Sequence, residues 1–536
     1  MNRRRFQAVK GTRDILPPES ALWAQVEQTA RRVFAAYNFQ EIRLPLFEET
    51  ELFARSVGTD TDIVKKEMYT LTRGLGPDSA ELVPILHDPN YNLNDPASYI
   101  RFAGLLARTA AHLEPSDADS EDEERRIKRI HENVSRVFSI RQAPLDWDTF
   151  RSELFFDLAN IPSKSISWRP EATASVVRAY IEHGLHTRPG LAKLYYIGPM
   201  FRRERPQKGR FRQFYQIGAE VLGPSDHPGI DAEIVELVLV FIERCGLPVA
   251  SFRSPEEVRS LSRAGARDTR SLENEGVTLY VNSIGCSACR PKYVELLRRE
   301  LQKVKAKLGP DSQRRIETNP LRVLDSKVEG EQAIIEKLPS ILDHLCQPCR
   351  DHFQQFQQEL KDRGIAYEIN RRLVRGLDYY TRTTFEITAP GLGAQNAICG
   401  GGRYDGLSEL LGGPPTKGIG WALGTDRLLL ALQHAGVLKA DLRPNVFIVW
   451  LGAAAGTRAR QLARRLRDAG VSTELAYEEM KLKKALGRAD QAGARYALII
   501  GEDELAQGKF TLREMQSGTQ RALSEEGLLR ELAPSK

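Results

Sequence analysis

The sequence predicts an α+β fold in several domains, closed by a separate α/β domain. Three observations carry this expectation. At 536 residues the chain exceeds what one hydrophobic core usually serves, so several domains are expected. Residues 166 to 245 and 366 to 438 read as short strands and helices, including a long-looped hairpin with arms at 197–201 and 211–221. Beyond "DLRP" the texture changes to strand, helix, strand, helix, strand in "NVFIVWL", "RARQLARRLRDAG", "VSTELAY", "KKALGRADQAGA" and "RYALIIG". That alternation marks an independent α/β unit over 444–536.

The earlier elements follow in order. "ALWAQVEQTARRVFAAYN" carries apolar residues at helical spacing after a Ser20 cap, so a helix opens the fold. "FQEIRLPLFEETELFARSVG" reads as a strand reaching Pro45 and then a second helix. Proline is tolerable only at an edge or strand end, which puts this strand next to an interface. Residues 72–165 differ in character: the acidic run "EPSDADSEDEE" reads as a solvated loop, and "ERRIKRIHENVSRVF" as an amphipathic helix. They form an inserted subdomain between core segments 1–71, 166–282 and 366–438. A second insertion, 283–365, is mostly helical and has a basic face on "PKYVELLRRELQKVKAKLG".

Charged residues at 28% and apolar ones at 41% exclude a disordered or fibrous chain. A net charge of +6 permits an anionic partner without establishing one. No stretch approaches the roughly twenty apolar residues that span a bilayer, and "MNRRRFQAVK" has no apolar signal region, so a cytosolic protein without a membrane partner is expected.

Charge concentrates at 200–220, "MFRRERPQKGRFRQFYQIGAE", with six cations and two carboxylates. Arg210, Arg212, Gln216 and Glu220 share one parity, opposite to Phe211, Tyr215 and Ile217, so one strand face is ionic and amide. Burying such a face without partners costs several kcal/mol, about as much as lost hydration of an unpaired charge. It is either a solvated surface hairpin or a ligand floor with arginines for phosphate.

"FRRERPQKGRFRQF" resembles motif 2 of class II aminoacyl-tRNA synthetases and "GIGWALGTDRLLL" their motif 3. "VKGTRDILP", "RPEATA", "NPLRVLDSK", "LVRGLDYYTRTTFE" and "GGGRYDGL" resemble the histidyl-tRNA synthetase family in particular. The resemblance covers nearly the whole chain outside 72–165. It implies a class II antiparallel sheet flanked by helices and a C-terminal anticodon-binding domain. The implied activity is ligation of histidine to tRNA(His) through histidyl-adenylate, by a cytoplasmic homodimer whose interface lies near Phe39 to Leu46. The alternative is a non-catalytic histidine-sensing paralogue, the regulatory subunit of ATP phosphoribosyltransferase, which lacks the RNA domain and usually loses the arginines.

By the same resemblance Arg202 and Arg375 are the catalytic cations, and Arg202, Glu204, Arg210 and Arg427 meet ATP, with Mg²⁺ bridging phosphate oxygens. Glu171, Ala172, Thr173, Gln216, Glu220, Tyr379 and Tyr380 surround histidine, Glu220 and Tyr380 at its ring. Three departures stand out: Asp426 replaces a longer acid, Ala172 a common glycine, and, most seriously, the insertion 72–165 interrupts the short link between the motif 1 helix and the histidine-binding loop. "NPLRVLDSK" belongs to the insertion that the family sets near the tRNA acceptor stem. Lys481, Lys483, Lys484 and Arg488 form a basic cluster at a helix start, suited either to RNA backbone or to a solvated face.

Cys286, Cys289, Cys346 and Cys349 make two C-x-x-C pairs with zinc-ribbon spacing inside each pair. One tetrahedral Zn²⁺ would tie the entry of the helical insertion to its exit. Four reduced, buried small residues are the competing reading.

Overall fold

The structure, a computed structural model, describes residues 6–59, 61–73, 79–88, 90–113, 121–140, 146–159, 164–207, 209–249, 276–393, 395–437 and 443–533. It divides into two compact units, Met1–Ile15 with Leu22–Leu438, and Leu16–Ala21 with Lys439–Lys536. Strands of the first unit are, in chain order, β1 (Gln40–Glu41), β2 (Phe47–Glu49), β3 (Thr70–Arg73), β4 (Lys164–Trp168), β5 (Ala192–Phe201), β6 (Gln213–Gly223), β7 (Thr278–Ser283), β8 (Glu368–Ile369), β9 (Thr381–Thr388), β10 (Ala397–Arg403) and β11 (Lys417–Gly424). Eight of them form one sheet in the order β1-β5-β6-β11-β10-β9-β7-β8, and β2-β4-β3 form a small second sheet. The six central strands of the large sheet pair antiparallel. Its two-residue edges, β1 and β8, run parallel to β5 and β7, so the sheet is mixed at its margins.

The β5–β6 hairpin is longer than its sequence suggests on one side and starts later on the other. Phe201 pairs with Gln213 and Ala192 with Leu222. Phe211 and Arg212 fall outside the ladder because the Arg212 N–H donates to Gly11 O at 2.7 Å. The parity argument therefore holds for Gln216 and Glu220 but not for Arg212, whose Nη1 donates to Lys10 O at 3.3 Å.

The expected strand through Pro45 is reduced to β1. Past Glu41 only the Ile42 N–H still reaches β5, at Tyr195 O. Pro45 has no N–H to continue a ladder. The carbonyls of Leu44 and Pro45 are instead taken by Arg169 Nη1 at 3.0 and 3.1 Å, while Arg169 Nε donates to Pro199 O at 2.9 Å. The opening helix spans Glu19–Ala36, so Ser20 lies in its first turn and not at the cap.

Within the first insertion, helices Ser79–His87, Pro96–Ala110, Glu121–Ile140 and Trp147–Ala159 bury their own core of Leu82, Phe102, Leu106, Ile130 and Leu154. Residues 114–120 of the acidic run lie outside the described residues. Glu121 to Glu124 correct the solvated-loop expectation, since they form the first turn of a helix, where carboxylates meet its unpaired N–H groups. The second insertion has no separate core. Its Tyr293, Leu297, Leu301 and Ile316 join Val176, Tyr180, Tyr379 and Tyr380 in one cluster.

The second unit holds β12 (Val446–Trp450), β13 (Thr473–Leu475), β14 (Tyr496–Ile500), β15 (Phe510–Glu514) and β16 (Gln520–Leu523), in the order β13-β12-β14-β15-β16. The first three are parallel, as the alternating texture implies. The antiparallel β15–β16 hairpin was not legible in its polar sequence.

Arg403 at the end of β10 is fully buried, with Nε 2.8 Å from Asp231 Oδ1 and Nη1 2.9 Å from Asp405 Oδ1. Removing Asp231 leaves the buried Arg403 with Asp405 alone, its Nε and Nη2 without a carboxylate. Asp231→Ala should therefore lower unfolding stability by about 3 kcal/mol or more, read as the shift of the urea midpoint; a loss under about 1 kcal/mol contradicts it.

Candidate active site

On the exposed side of the large sheet, a cavity of about 250 Å³ is lined by Arg202, Glu204, Arg210, Gln216, Arg375, Glu386, Gly400 and Arg427, among others. Three far-separated segments supply the arginines. Arg202 follows β5, Arg375 precedes β9, and Arg427 sits in the first turn of helix Thr425–His434. Each spends only part of its fork of N–H donors on the protein. Arg202 Nε donates to Pro170 O at 2.9 Å, and Arg375 Nη1 to Glu386 Oε2 at 3.0 Å. Arg210 Nη1 reaches Glu204 Oε2 at 3.0 Å. Arg427 Nε reaches Ala397 O at 2.6 Å, and its Nη2 bonds Gln395 O. Burial, then the neighbouring Arg210, lower the Arg427 pKa from its ordinary value. Four cations are thus crowded against the carboxylates of Glu204 and Glu386. Gln216 Oε1 and Arg375 Nε are buried and make no hydrogen bond within the described residues.

Directly behind the cavity lies a buried polar cluster. Arg375 stands 5.8 Å over the Tyr380 ring and joins the two. Glu171 caps helix Thr173–Glu182, its Oε2 accepting the Thr173 N–H at 2.7 Å and its Oε1 the Ala174 N–H at 3.0 Å. Ala172 is the buried N-cap residue of that helix. Thr173 Oγ1 donates to Glu220 Oε1 at 2.7 Å, and the Tyr404 hydroxyl to Glu220 Oε2 at 2.6 Å. The Tyr379 hydroxyl reaches Glu171 Oε2 at 3.4 Å, and its ring lies 4.7 Å from that of Tyr380. Burial raises the Glu220 carboxyl from 4.5 to about 8, against the lowering effect of Tyr404 and Thr173. Burial likewise raises Glu171 despite its two N–H donors, and holds Tyr379 and Tyr404 well above the phenol range.

The expected residues thus fall into two adjoining sets. Arg202, Glu204, Arg210, Gln216, Arg375 and Arg427 line the cavity, whereas Glu171, Ala172, Thr173, Glu220, Tyr379 and Tyr380 are closed off behind it. Sequence reasoning missed Glu386 and Tyr404. Both stand inside blocks that carry the family resemblance, and that placement was the available signal. A larger cavity of about 720 Å³ shares Arg210, Glu386, Gln395 and Ala397 with the first and is walled by Arg315, Arg322, Asp325 and Lys327 of the second insertion. The sulfurs of Cys286, Cys289, Cys346 and Cys349 lie within 4.8 Å of one another. In the second unit Lys481, Lys483, Lys484 and Arg488 are all exposed, along helix Leu482–Gln491 and its N-cap.

An antiparallel sheet whose arginines converge on one hollow, in a chain that also carries a separate C-terminal α/β unit, is the arrangement expected of an aminoacyl-tRNA synthetase. The family model described as Anticodon binding domain matches residues 445–533, and the one described as Histidyl-tRNA synthetase matches 148–262 and 291–428. The chain is 43% identical to the histidine--tRNA ligase of Solibacter usitatus over 97% of both chains, and 42% identical to that of Koribacter versatilis over 97% of this chain and 94% of the other. Its structure resembles that of apo histidyl-tRNA synthetase from S. aureus with a TM-score of 0.64 at 29% identity, covering 99% of this chain and all of the other. The chain belongs to the histidyl-tRNA synthetase family. Because both bacterial relatives match almost the full length, the segment 72–165 is shared with them and is not peculiar to this chain.

A carboxyl whose pKa is higher in the folded state keeps a proton that the unfolded chain has released. Its contribution to stability is complete below 4.5 and is lost as pH rises toward about 8. Glu220→Gln removes that loss. Without ligands, the variant's melting temperature minus that of the parent should rise steadily from about pH 5 to pH 8, by the equivalent of up to about 1.4 kcal/mol per pH unit. A pH-independent difference contradicts a proton on Glu220.

Proposed function

We propose that the protein joins L-histidine to tRNA(His) at the expense of ATP, through histidyl-adenylate, releasing diphosphate and then AMP. One observation carries this reading: Arg202, Arg210, Arg375 and Arg427 line a single hollow that abuts a buried cluster of carboxylates and tyrosines. The histidine carboxylate attacks the α-phosphorus, and negative charge grows on the phosphoryl oxygens as the bond to diphosphate breaks. Arg202 and Arg375, held from behind by Pro170 O and Glu386, are positioned to meet that charge without reorganising. Arg427 and Arg210 hold the nucleotide, with Glu204 on its base and ribose side. Mg²⁺ accompanies the phosphates, and the carboxylates in the cavity wall are Glu204, Glu386 and Asp426. A structural Zn²⁺ on the four cysteine sulfurs is the second ion in this reading.

The histidine side chain enters the tyrosine cluster, where Glu220 accepts an imidazole N–H and Tyr380 and Tyr404 serve the other side of the ring. Glu171, Thr173 and Gln216 hold the ammonium group. Buried groups matched to two ring nitrogens are left unpaired by a residue lacking them, which supplies discrimination without an editing domain. The terminal adenosine of the tRNA then accepts the histidyl group. Arg315, Arg322 and Lys327 beside the larger cavity supply cations for the acceptor end, and the exposed Lys481, Lys483, Lys484 and Arg488 for the anticodon arm. The same reading includes a cytoplasmic homodimer, with exposed Leu46 and Phe47 beside the β1 edge at its interface. Among the described residues no helix is long and apolar enough to cross a membrane. The histidine-sensing regulatory paralogue is not favoured, since the arginines converge and the C-terminal unit is present.

Histidine-dependent ATP–diphosphate exchange tests the reading, and its absence in pure protein refutes it. Arg375→Ala should slow that exchange by about a hundredfold or more, with unchanged kinetics excluding a transition-state role. Glu220→Gln should raise KM for histidine at least about tenfold while KM for ATP moves less than about twofold. Equal changes in both would mean a fold defect.

A further inference from the structure

The four cysteines do more than close the second insertion, because their loop is bonded to the turn that carries the pocket tyrosines. Cys286 Sγ lies 3.8 Å from Cys289 Sγ and 3.7 Å from Cys346 Sγ, and Cys289 Sγ lies 3.9 Å from Cys349 Sγ. A tetrahedral ion with metal–sulfur bonds of about 2.3 Å sets its sulfurs about 3.8 Å apart. None of the four is in a disulfide. Backbone N–H groups already point at two of the sulfurs, Ala288 N to Cys286 Sγ at 3.4 Å and Cys286 N to Cys289 Sγ at 3.3 Å. Gly285, at φ +70°, lets the loop turn tightly, since a Cβ there would come within 2.7 Å of Cys289 Sγ. Soft sulfur ligands in a closed tetrahedron suit Zn²⁺ and leave no open position for chemistry.

Three hydrogen bonds run from this loop to residues 380–382. Ile284 N donates to Arg382 O and Arg382 N to Gly285 O, both at 2.8 Å, and Arg290 Nη1 donates to Tyr380 O. Arg382 itself has φ +49°, a left-handed conformation that a side chain with a Cβ adopts only at a cost of roughly 1 kcal/mol and only when its surroundings impose it. The other cysteine pair reaches the same residue: on the helix that starts after Cys346, His352 Nε2 lies 3.1 Å from Asp226 O, and Asp226 Oδ2 accepts from Arg382 Nη1 at 2.6 Å. Both halves of the cysteine cluster thus converge on Arg382, two residues past Tyr380.

Resting on the Zn²⁺ reading above, we propose that the four-cysteine site is a metal-dependent clamp that holds the Tyr379–Tyr380 turn and thereby sets the affinity for histidine. Binding replaces four thiol protons by one ion, joins 284–290 to the head of helix Gln347–Asp362, and fixes the strained residue between them. The cysteines and Arg290 are positioning residues. None of them lines the nucleotide cavity, so ATP affinity is independent of the metal.

The test uses the full chain purified without chelator. Elemental analysis should find about one zinc per chain, and Co²⁺ exchanged into the site should give thiolate charge-transfer absorption. Histidine and ATP affinities are then titrated calorimetrically on the native, metal-stripped and zinc-restored protein. Expected is a loss of at least about tenfold in histidine affinity on stripping, reversed by ZnCl₂, with ATP affinity within about twofold. Arg290→Ala should keep the zinc and reproduce the selective histidine loss. Protein that neither contains nor takes up Zn²⁺ or Co²⁺ overturns the metal reading. Stoichiometric, removable zinc with histidine affinity unchanged both on stripping and in Arg290→Ala overturns the clamp alone. Zinc-replete Arg290→Ala losing histidine and ATP equally also overturns the clamp.

Discussion

The site depends on charged side chains lying flat on a β-sheet, and that is possible only where the sheet has no side chains of its own. Arg375 lies over Gly400 on β10, where an added Cβ would come within 2.0 Å of its Nη2. Glu220 turns toward Gly420 on the neighbouring strand β11, where an added Cβ would come within 1.6 Å of its Oε2. The register makes these positions face their partners, Gly400 opposite Glu386 and Gly420 opposite Glu220. The floor is therefore bare backbone, and the groups that read a ligand approach it as closely as van der Waals contact permits.

Sinking ionisable groups into such a floor carries a desolvation cost, and the molecule divides that cost between two chambers. In the outer one, carboxylates and carbonyls hold the guanidinium groups from behind. Deeper in, the Glu220 carboxyl accepts from the hydroxyls of Thr173 and Tyr404, and burial prevails over them, so its proton is retained near neutrality. Arg375 above Tyr380 is where the chambers meet. In the function proposed above, histidine spans that junction, its carboxylate among the arginines and its ring beside Glu220.

Much of this arrangement was legible before any coordinates. The alternation in the β5–β6 hairpin is enough to put Gln216 and Glu220 on one face, and the arginine-rich blocks are dense enough to stand out. Arg212 was misread because strand parity says nothing about where a ladder begins, and the Gly11 carbonyl ends this one early. The strand was read as reaching Pro45, yet it stops at Glu41, and Arg169 takes the carbonyls of Leu44 and Pro45. Glu386 and Tyr404 escaped notice since each sits singly in a strand-like or turn-like stretch with no local sign of its partner.

What the sequence alone determined is which residue types are available and on which local face: the helical and strand periods, the glycines that bare the floor, the paired cysteines, the separate C-terminal unit. Those follow from interactions over a few residues, which spacing encodes. Tertiary structure alone decided which distant groups share a hollow and which are sealed behind it. The bond from Tyr404 to Glu220 crosses 184 positions, and that from Arg290 to Tyr380 crosses 90. Such pairings, and the shift of the Glu220 proton that comes with them, arise from strand order and desolvation, and neither is written in any local stretch of chain.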